Sequence, residues 1–266
     1  MKKRTTELLQ LPGETFGDDR QFIASLHKGL EVLRNLAHVN RPLGNKELSD
    51  LTGYPKATIS RLTYTLTRLG YLRYVEESGK YVLGLPVLGL GYACLSGLNV
   101  AEAAQPLMQE LADHANAMVA LGSRDQFSML YVAVAHSRGP VSLQLRAGSR
   151  ISLVRSSMGR AYIAGLPERE REALLPALAR HAAEQWPRYE QQLSDAIEQV
   201  REYGFCWNIG DWYPEVNSVG VPFVPADRSQ VMAFTCGAAN FVIDEKKARE
   251  DIGPRLVRLV ARMSYA

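Results

Sequence analysis

Three groups of side chains in this chain have types and spacings that could do chemistry. The first lies in "PKATISRLTYTLTRLG", residues 55–70. At about 100° per residue, Ile59, Leu62, Leu66 and Leu69 share one side of a helix, and Lys56, Ala57, Thr58, Ser60, Arg61, Tyr64, Thr67 and Arg68 lie opposite or flank it. A merely solvated face mixes Glu with Lys. This one has no carboxylate, carries short hydrogen-bonding groups, and sets Tyr64 between two arginines, so it can approach a polyanionic groove closely. The second group is "ISLVRSSMGRAYIAGL", where a strand turns into a helix at Ser156-Ser157. There the hydroxyls and the N–H groups of Met158 and Gly159 converge on a helix N-terminus, a place that attracts anions, although a serine there also serves simply to cap its own helix. The third group surrounds Asp211 and Thr235 in "YGFCWNIGDWYPEVNSVGVPFVPADRSQVMAFTCGAAN". Trp207, Trp212 and Tyr213 could wall a pocket there or pack in a core, and Asp211 could meet a ligand or simply accept structural hydrogen bonds.

Catalytic arrangements are missing. No P-loop, Gly-x-Ser-x-Gly elbow, dinucleotide fingerprint or metal-spaced cluster is present, so no catalytic residue, metal or cofactor is expected. His27, His38, His114, His136 and His181 stand singly. Cys94, Cys206 and Cys236 are odd in number and far apart, a pattern that fits reduced, buried thiols. A cysteine-dependent enzyme using Cys206 or Cys236, and a protein-interaction module that never touches DNA, are the rival readings.

The elements that position these groups follow from periodicity. Leucines and their neighbours at Phe22, Ile23, Leu26, Leu30, Leu33 and Leu36 predict an amphipathic helix near 20–38, ended by "NRPLG". "NKELSDLTG" predicts a short second helix, with Asn45 near its cap, Leu48 and Leu51 inward, and Gly53 as its stop. Pro55 suits the first position of the third helix. "YLRYVEES" and "GKYVLG" alternate around Ser78-Gly79 and predict a β-hairpin. A short two-helix unit followed by a hairpin matches the winged helix-turn-helix, whose second helix enters the major groove. Beyond it come two apolar helices, the first from near Pro86 and the second from about Asn99. Strands are predicted at "AMVALGS", "FSMLYVAVAH", "PVSLQL", "ISLV", "FCWNI", "VNSVGVPFV" and "QVMAFTCGA", with helices at about 157–165, 168–181 and 186–203 and a closing helix kinked near Gly253-Pro254. Strands joined by short turns among helices predict an α+β domain with a mainly antiparallel sheet.

At 266 residues the chain is long enough for two domains. Residues 1–85 hold 13 Lys+Arg against 9 Asp+Glu, a balance of +4, whereas the remainder holds 18 against 19, so the mild basic excess sits in the first third. The N-terminus lacks an apolar signal core and no run of about 20 apolar residues occurs. A cytoplasmic setting without membrane contact is expected.

The run "LHKGLEVLRNLA…RPLGNKELSDLTGYPKATISRLTYTLTRLGYLRYVEESGKYVLGLPVLGLG" resembles the N-terminal domain of the IclR family of bacterial transcriptional regulators. The resemblance implies a winged helix-turn-helix domain over 20–84, a connector helix over 85–98, and a mixed α/β, GAF-like effector-binding and oligomerisation domain over 99–266. It implies a double-stranded operator as partner, contacted from Asn45 and Lys46, from Lys56, Ala57, Thr58, Ser60, Arg61 and Tyr64, and from Arg73 and Lys80 in the wing. Homodimers or homotetramers would place these modules. In the family the turn equivalent to Ser156, Ser157, Met158 and Gly159 lines the effector pocket. Asp211 takes the place of the usual acid, Val221 and Pro222 that of a small-residue–Pro pair, and Thr235 and Gly237 that of two alternating serines. Gly237 cannot donate a side-chain hydrogen bond and Glu215 sits where Gly is common, so effector identity does not transfer from relatives. Alternation places Cys236 behind Thr235. The expected effector is a small hydroxylated or aromatic carboxylic acid.

Overall fold

The computed structural model describes residues 21–139, 143–225 and 230–263, and the chain divides into two compact units that meet in sequence between Gly97 and Leu98. In the first unit α1 (Ala24–Val39), α2 (Asn45–Thr52) and α3 (Lys56–Arg68) precede a hairpin of β1 (Leu72–Val75) and β2 (Lys80–Leu83), and α4 (Leu85–Ser96) follows. Val32, Leu36, Leu43, Leu48, Ile59 and Leu72 form its core. Leu43 pairs with Tyr81 through two backbone hydrogen bonds, so the loop before α2 becomes a short third partner of the wing.

Several sequence expectations shift here. Residue 20 lies outside the described residues, and α1 turns Val32 inward while leaving Ile23, Leu26 and Leu30 exposed. Leu51 and Leu69 are exposed rather than buried. Each sits at the edge of its helix's apolar stripe, and so small a core covers only the centre. Gly44 is the N-cap of α2, with Asn45 beside it as its first residue, and Pro55 is the N-cap residue just before α3 and not its first position.

In the second unit α5 (Asn99–Ala115) leads into β3 (Met118–Asp125), β4 (Ser128–His136) and β5 (Arg150–Ser152). Helices α6 (Ser157–Gly165), α7 (Glu168–Ala182) and α8 (Trp186–Tyr203) come next, then β6 (Cys206–Ile209), β7 (Val216–Phe223) and β8 (Met232–Ala239). The six strands run β5-β4-β3-β8-β7-β6, every pair antiparallel. The sheet is covered on both faces. On one, α5 and the closing helices pack against Val119, Leu121, Val219, Val221, Phe223, Phe234 and Cys236. On the other, α6, α7 and α8 pack against Met118, Ala120, Met129, Tyr131 and Ala233.

The strand expected at "PVSLQL" is not formed by its described part, since Leu143–Leu145 has no ladder and residues 140–142 lie outside the described residues. "ISLV" contributes only Ile151 and Ser152 to β5, which begins at Arg150, because Leu153 and Val154 already turn toward α6. The closing segment is α9 (Glu245–Lys247), a π turn over Ala248–Ile252, and α10 (Gly253–Met263). The wider turn falls just before Pro254, whose missing N–H and bulky ring an ordinary α-helical turn does not accommodate.

Candidate functional site

On α3, Lys56, Ala57, Ser60, Arg61, Tyr64 and Arg68 are exposed, and Thr58 is half-buried at the first turn. Tyr64 is the most open of the aromatic side chains on the three helices and the wing, at 66%. Arg68 and Thr65 share this surface and extend the predicted set, found by carrying the same helical face one turn further. Asn45 is engaged elsewhere: its Oδ1 accepts from the Thr63 hydroxyl at 3.1 Å, which ties α2 to α3. Lys46 is exposed beside it.

In the wing, Arg73 is exposed opposite Val82. Lys80 is not free. Its Nζ lies 3.0 Å from Glu47 Oε2, while the other oxygen of Glu47 meets Arg41 at 2.5 Å. Glu47 Oε2 also accepts the Gly44 N–H at 2.9 Å. That backbone bond, helped by Arg41 and Lys80, holds the Glu47 carboxyl down to a pKa of about 2.

In the second unit the helix N-terminus is built mainly from its own caps. Ser156 Oγ accepts the Gly159 N–H at 3.1 Å and donates to Ser152 O at 2.7 Å, so Ser156 caps α6 and the Gly159 N–H is spent on it. A Cβ on Gly159 would stand 2.0 Å from the Leu153 carbonyl oxygen, so glycine is there to let α6 approach the preceding turn. Met158 is wholly buried in the core beneath the helix.

Ser157 and Thr235 do come together. Ser157 Oγ donates to Ser218 Oγ at 2.8 Å and lies 3.0 Å from Thr235 Oγ1, which donates to Val219 O at 2.8 Å. Ser218 pairs in register with Gly237, and a Cβ at 237 would lie 3.0 Å from Ser218 Cβ. Ser218 therefore supplies a hydroxyl beside the position where Gly237 has none. Sequence reasoning missed Ser218, although its alternation with Gly220 and Pro222 on β7 places it on the α6 face. Val221, one step out of that alternation, faces the opposite core with Phe223 and is not brought to the cluster.

Asp211, in the loop between β6 and β7, is the counter-ion of a second missed residue. Arg160 Nη1 meets Asp211 Oδ2 at 2.8 Å, and Gln192 Nε2 donates to Asp211 Oδ1 at 2.7 Å. Arg160 is nearly fully buried, and its remaining nitrogens donate to Val154 O at 3.0 Å and Gln192 Oε1 at 2.7 Å. Asn208 Oδ1 accepts the Asp211 N–H at 3.1 Å, so the loop is tied at both backbone and side chain. Trp212 packs with the α6 face and touches Tyr213 edge-on at 4.6 Å, whereas Trp207 lies against the opposite core under the Arg249 guanidinium, 4.7 Å from its ring centre.

Cys236 is buried on the far face behind Thr235, and burial pushes its thiol and that of Cys206 up to about 12. Such thiols stay protonated and make poor nucleophiles. Cys94 corrects the expectation of three buried thiols, since α4 leaves it exposed.

A helix-turn-helix with a carboxylate-free outer face and a wing, followed by a separate α+β unit with a buried polar cluster, defines a ligand-responsive, DNA-binding transcriptional regulator. Residues 25–76 match the model of the IclR helix-turn-helix domain, and residues 92–264 match that of the bacterial transcriptional regulator IclR C-terminal domain. The chain is 31% identical over 240 residues to the HTH-type transcriptional regulator TsaQ1/TsaQ2 of Comamonas testosteroni, covering 90% of this chain and 86% of that protein. It is 24% identical over 189 residues to the transcriptional repressor IclR of Escherichia coli (strain K12), covering 70% and 69%. The crystal structure of an IclR family transcriptional regulator from Brucella abortus superposes with a TM-score of 0.88 at 43% identity, covering 97% of this chain and 96% of that one. The chain belongs to the IclR family of bacterial transcriptional regulators. Its relatives are regulators and not enzymes, which removes the cysteine-enzyme reading.

Proposed function

We propose that this regulator acts in the cytoplasm, reads a near-palindromic operator as a homodimer or a pair of dimers, and senses a small hydroxylated or aromatic carboxylic acid in its second unit. The observation that carries the DNA-reading mode is the outer face of α3, exposed and free of carboxylates from Lys56 to Arg68. Its N-terminal half is placed to meet base edges, while Arg73 meets phosphate from the wing. Homo-oligomer formation is supported by α4, an apolar helix with no buried residue, whose Leu85, Leu88, Leu90 and Tyr92 are exposed. A helix apolar on all sides is ordinarily covered, and a two-fold copy would cover it while setting two α3 helices one half-site apart. Among the described residues no single helix is long and apolar enough to cross a membrane.

The effector reading rests on the Ser157–Ser218–Thr235 cluster at the start of α6. Three hydroxyls that bond to one another can exchange those bonds for a ligand's oxygens, and the helix N-terminus favours an anionic head group. Asp211 does not oppose this, because Arg160 already balances its charge. The test is a thermal-shift screen of hydroxylated and aromatic acids followed by calorimetry. A ligand at 100 times its Kd should stabilise by about 2.7 kcal/mol. Ser157→Ala, Ser218→Ala and Thr235→Val should each cost about 1.5–3 kcal/mol of affinity if the cluster bonds a charged group. Unchanged affinity in all three folded variants would move the ligand elsewhere.

A further inference from the structure

The wing has two cations facing different fates. Arg73 is exposed on β1, but Lys80 on β2 is held by Glu47, as is Arg41 from the loop before α2. These contacts join three pieces of chain: the N-terminal turn of α2, the Arg41–Gly44 loop, and β2. The same loop is already fastened to β2 by the paired hydrogen bonds between Leu43 and Tyr81, at 3.0 and 2.8 Å. Glu47 thus sits where the wing meets the helix-turn-helix, with one oxygen on Arg41 and the other shared by Lys80 and the Gly44 N–H.

We propose that Glu47 is a positioning residue for DNA recognition: its carboxylate fixes the wing against α2 and withholds Lys80 and Arg41 from the phosphate backbone, leaving Arg73 as the wing's phosphate contact. One carboxylate between two cations leaves a net charge of about +1 instead of +2 at this corner. The consequence is specificity. Each phosphate contact adds sequence-independent affinity, so a corner that withholds contacts lowers background binding without touching the base-reading face of α3. This reading removes Lys80 from the residues expected to bind DNA directly.

The experiment compares the salt dependence of duplex binding for the full-length protein and four variants, on a random-sequence duplex and on a site selected with the wild-type protein. Arg73→Ala should reduce the slope of log K against log salt by about 0.9, the value of one lost phosphate contact. Lys80→Ala should leave the slope on both duplexes unchanged. Glu47→Gln keeps an oxygen for the Gly44 N–H but frees both cations, so the slope on random duplex should steepen by about 0.9–1.8 and the ratio of selected-site to random binding should fall. In Glu47→Gln/Lys80→Ala the slope should return by about 0.9 toward wild type. A slope lowered by Lys80→Ala alone to the same extent as by Arg73→Ala would overturn the proposal. So would a folded Glu47→Gln protein whose slope and site ratio match wild type. Since Lys80→Ala leaves the α2 cap untouched, its result stands even where Glu47→Gln fails to fold.

Discussion

Asp211 and Glu47 are two carboxylates with different surroundings, and each makes its own prediction. The nearly buried Arg160 depends on Asp211 for its counter-charge, so Asp211→Ala leaves a guanidinium uncompensated among core residues. Breaking such a pair from one side costs about 3–5 kcal/mol, and urea denaturation should show it, with a smaller loss for Asp211→Asn, which keeps an acceptor. Any change in effector affinity for these variants has to be separated from this loss of fold. Glu47 titrates at about 2 in the folded chain against an ordinary 4.5. Its contribution is therefore present above pH 4.5 and is lost as pH falls through about 2. Acid denaturation of Glu47→Gln should accordingly be shallower than wild type across that window. A third residue-scale prediction concerns thiols. Cys94 should react with iodoacetamide at mildly alkaline pH in the folded single chain and be protected where a second copy covers α4, while Cys206 and Cys236 react only after denaturant is added, as mass spectrometry of labelled peptides would reveal.

Helices α3 and α6 use their N-termini differently. In α3 the first turn follows Pro55, has no side-chain cap, and leaves Lys56, Ala57, Ser60 and Arg61 open. Arg61→Ala or Lys56→Ala should weaken operator binding and, where the side chain meets a base, relax preference at one position by about 1–3 kcal/mol, measured by competition with singly mutated sites. Retained preference at every position, with affinity lowered uniformly, would assign both residues to phosphate. In α6 the first turn is closed by Ser156, and Ser156→Ala should cost about 1 kcal/mol of stability. Ser157, next to it, points its hydroxyl at the sheet. One of two adjacent serines is thus spent on the helix and the other on the polar cluster. Periodicity places both at the turn but does not divide the work, because the N-cap is decided by where the backbone leaves the extended region.

At the scale of the whole molecule, assembly and DNA reading are coupled. If a second copy covers α4, then Leu88→Glu should shift the protein toward monomer in sedimentation and weaken binding to a two-half-site duplex far more than to a single half-site. A dimer unchanged by Leu88→Glu would assign α4 to another role. The exposed Ile23, Leu26 and Leu30 bear on the same point. Their helical spacing reads as a core stripe in the sequence, yet in the isolated chain Val32 and Leu36 fill the core, Leu33 packs at its edge, and Ile23, Leu26 and Leu30 are left uncovered. Apolar periodicity identifies a face to be buried and is silent on whether the burying surface belongs to the same chain.

The sequence by itself determined whatever depends on local pattern. It determined the three helices and wing, the helices at 157–165 and 186–203, the alternation that sends Cys236 behind Thr235, and the break near Gly253-Pro254. The tertiary structure alone decided which distant side chains meet. Arg160 finds Asp211 across 51 positions, Ser157 finds Ser218 across 61 and Thr235 across 78, and Glu47 finds Lys80 in a hairpin strand. Val221 faces the core opposite the Ser157–Thr235 cluster for a related reason: a shift of one position along a strand exchanges the two faces, and the register of β7 against β8 fixes which is which. Local periods record which side of an element is apolar. Ion pairs and hydroxyl clusters between elements depend on register and packing, which no window of sequence contains.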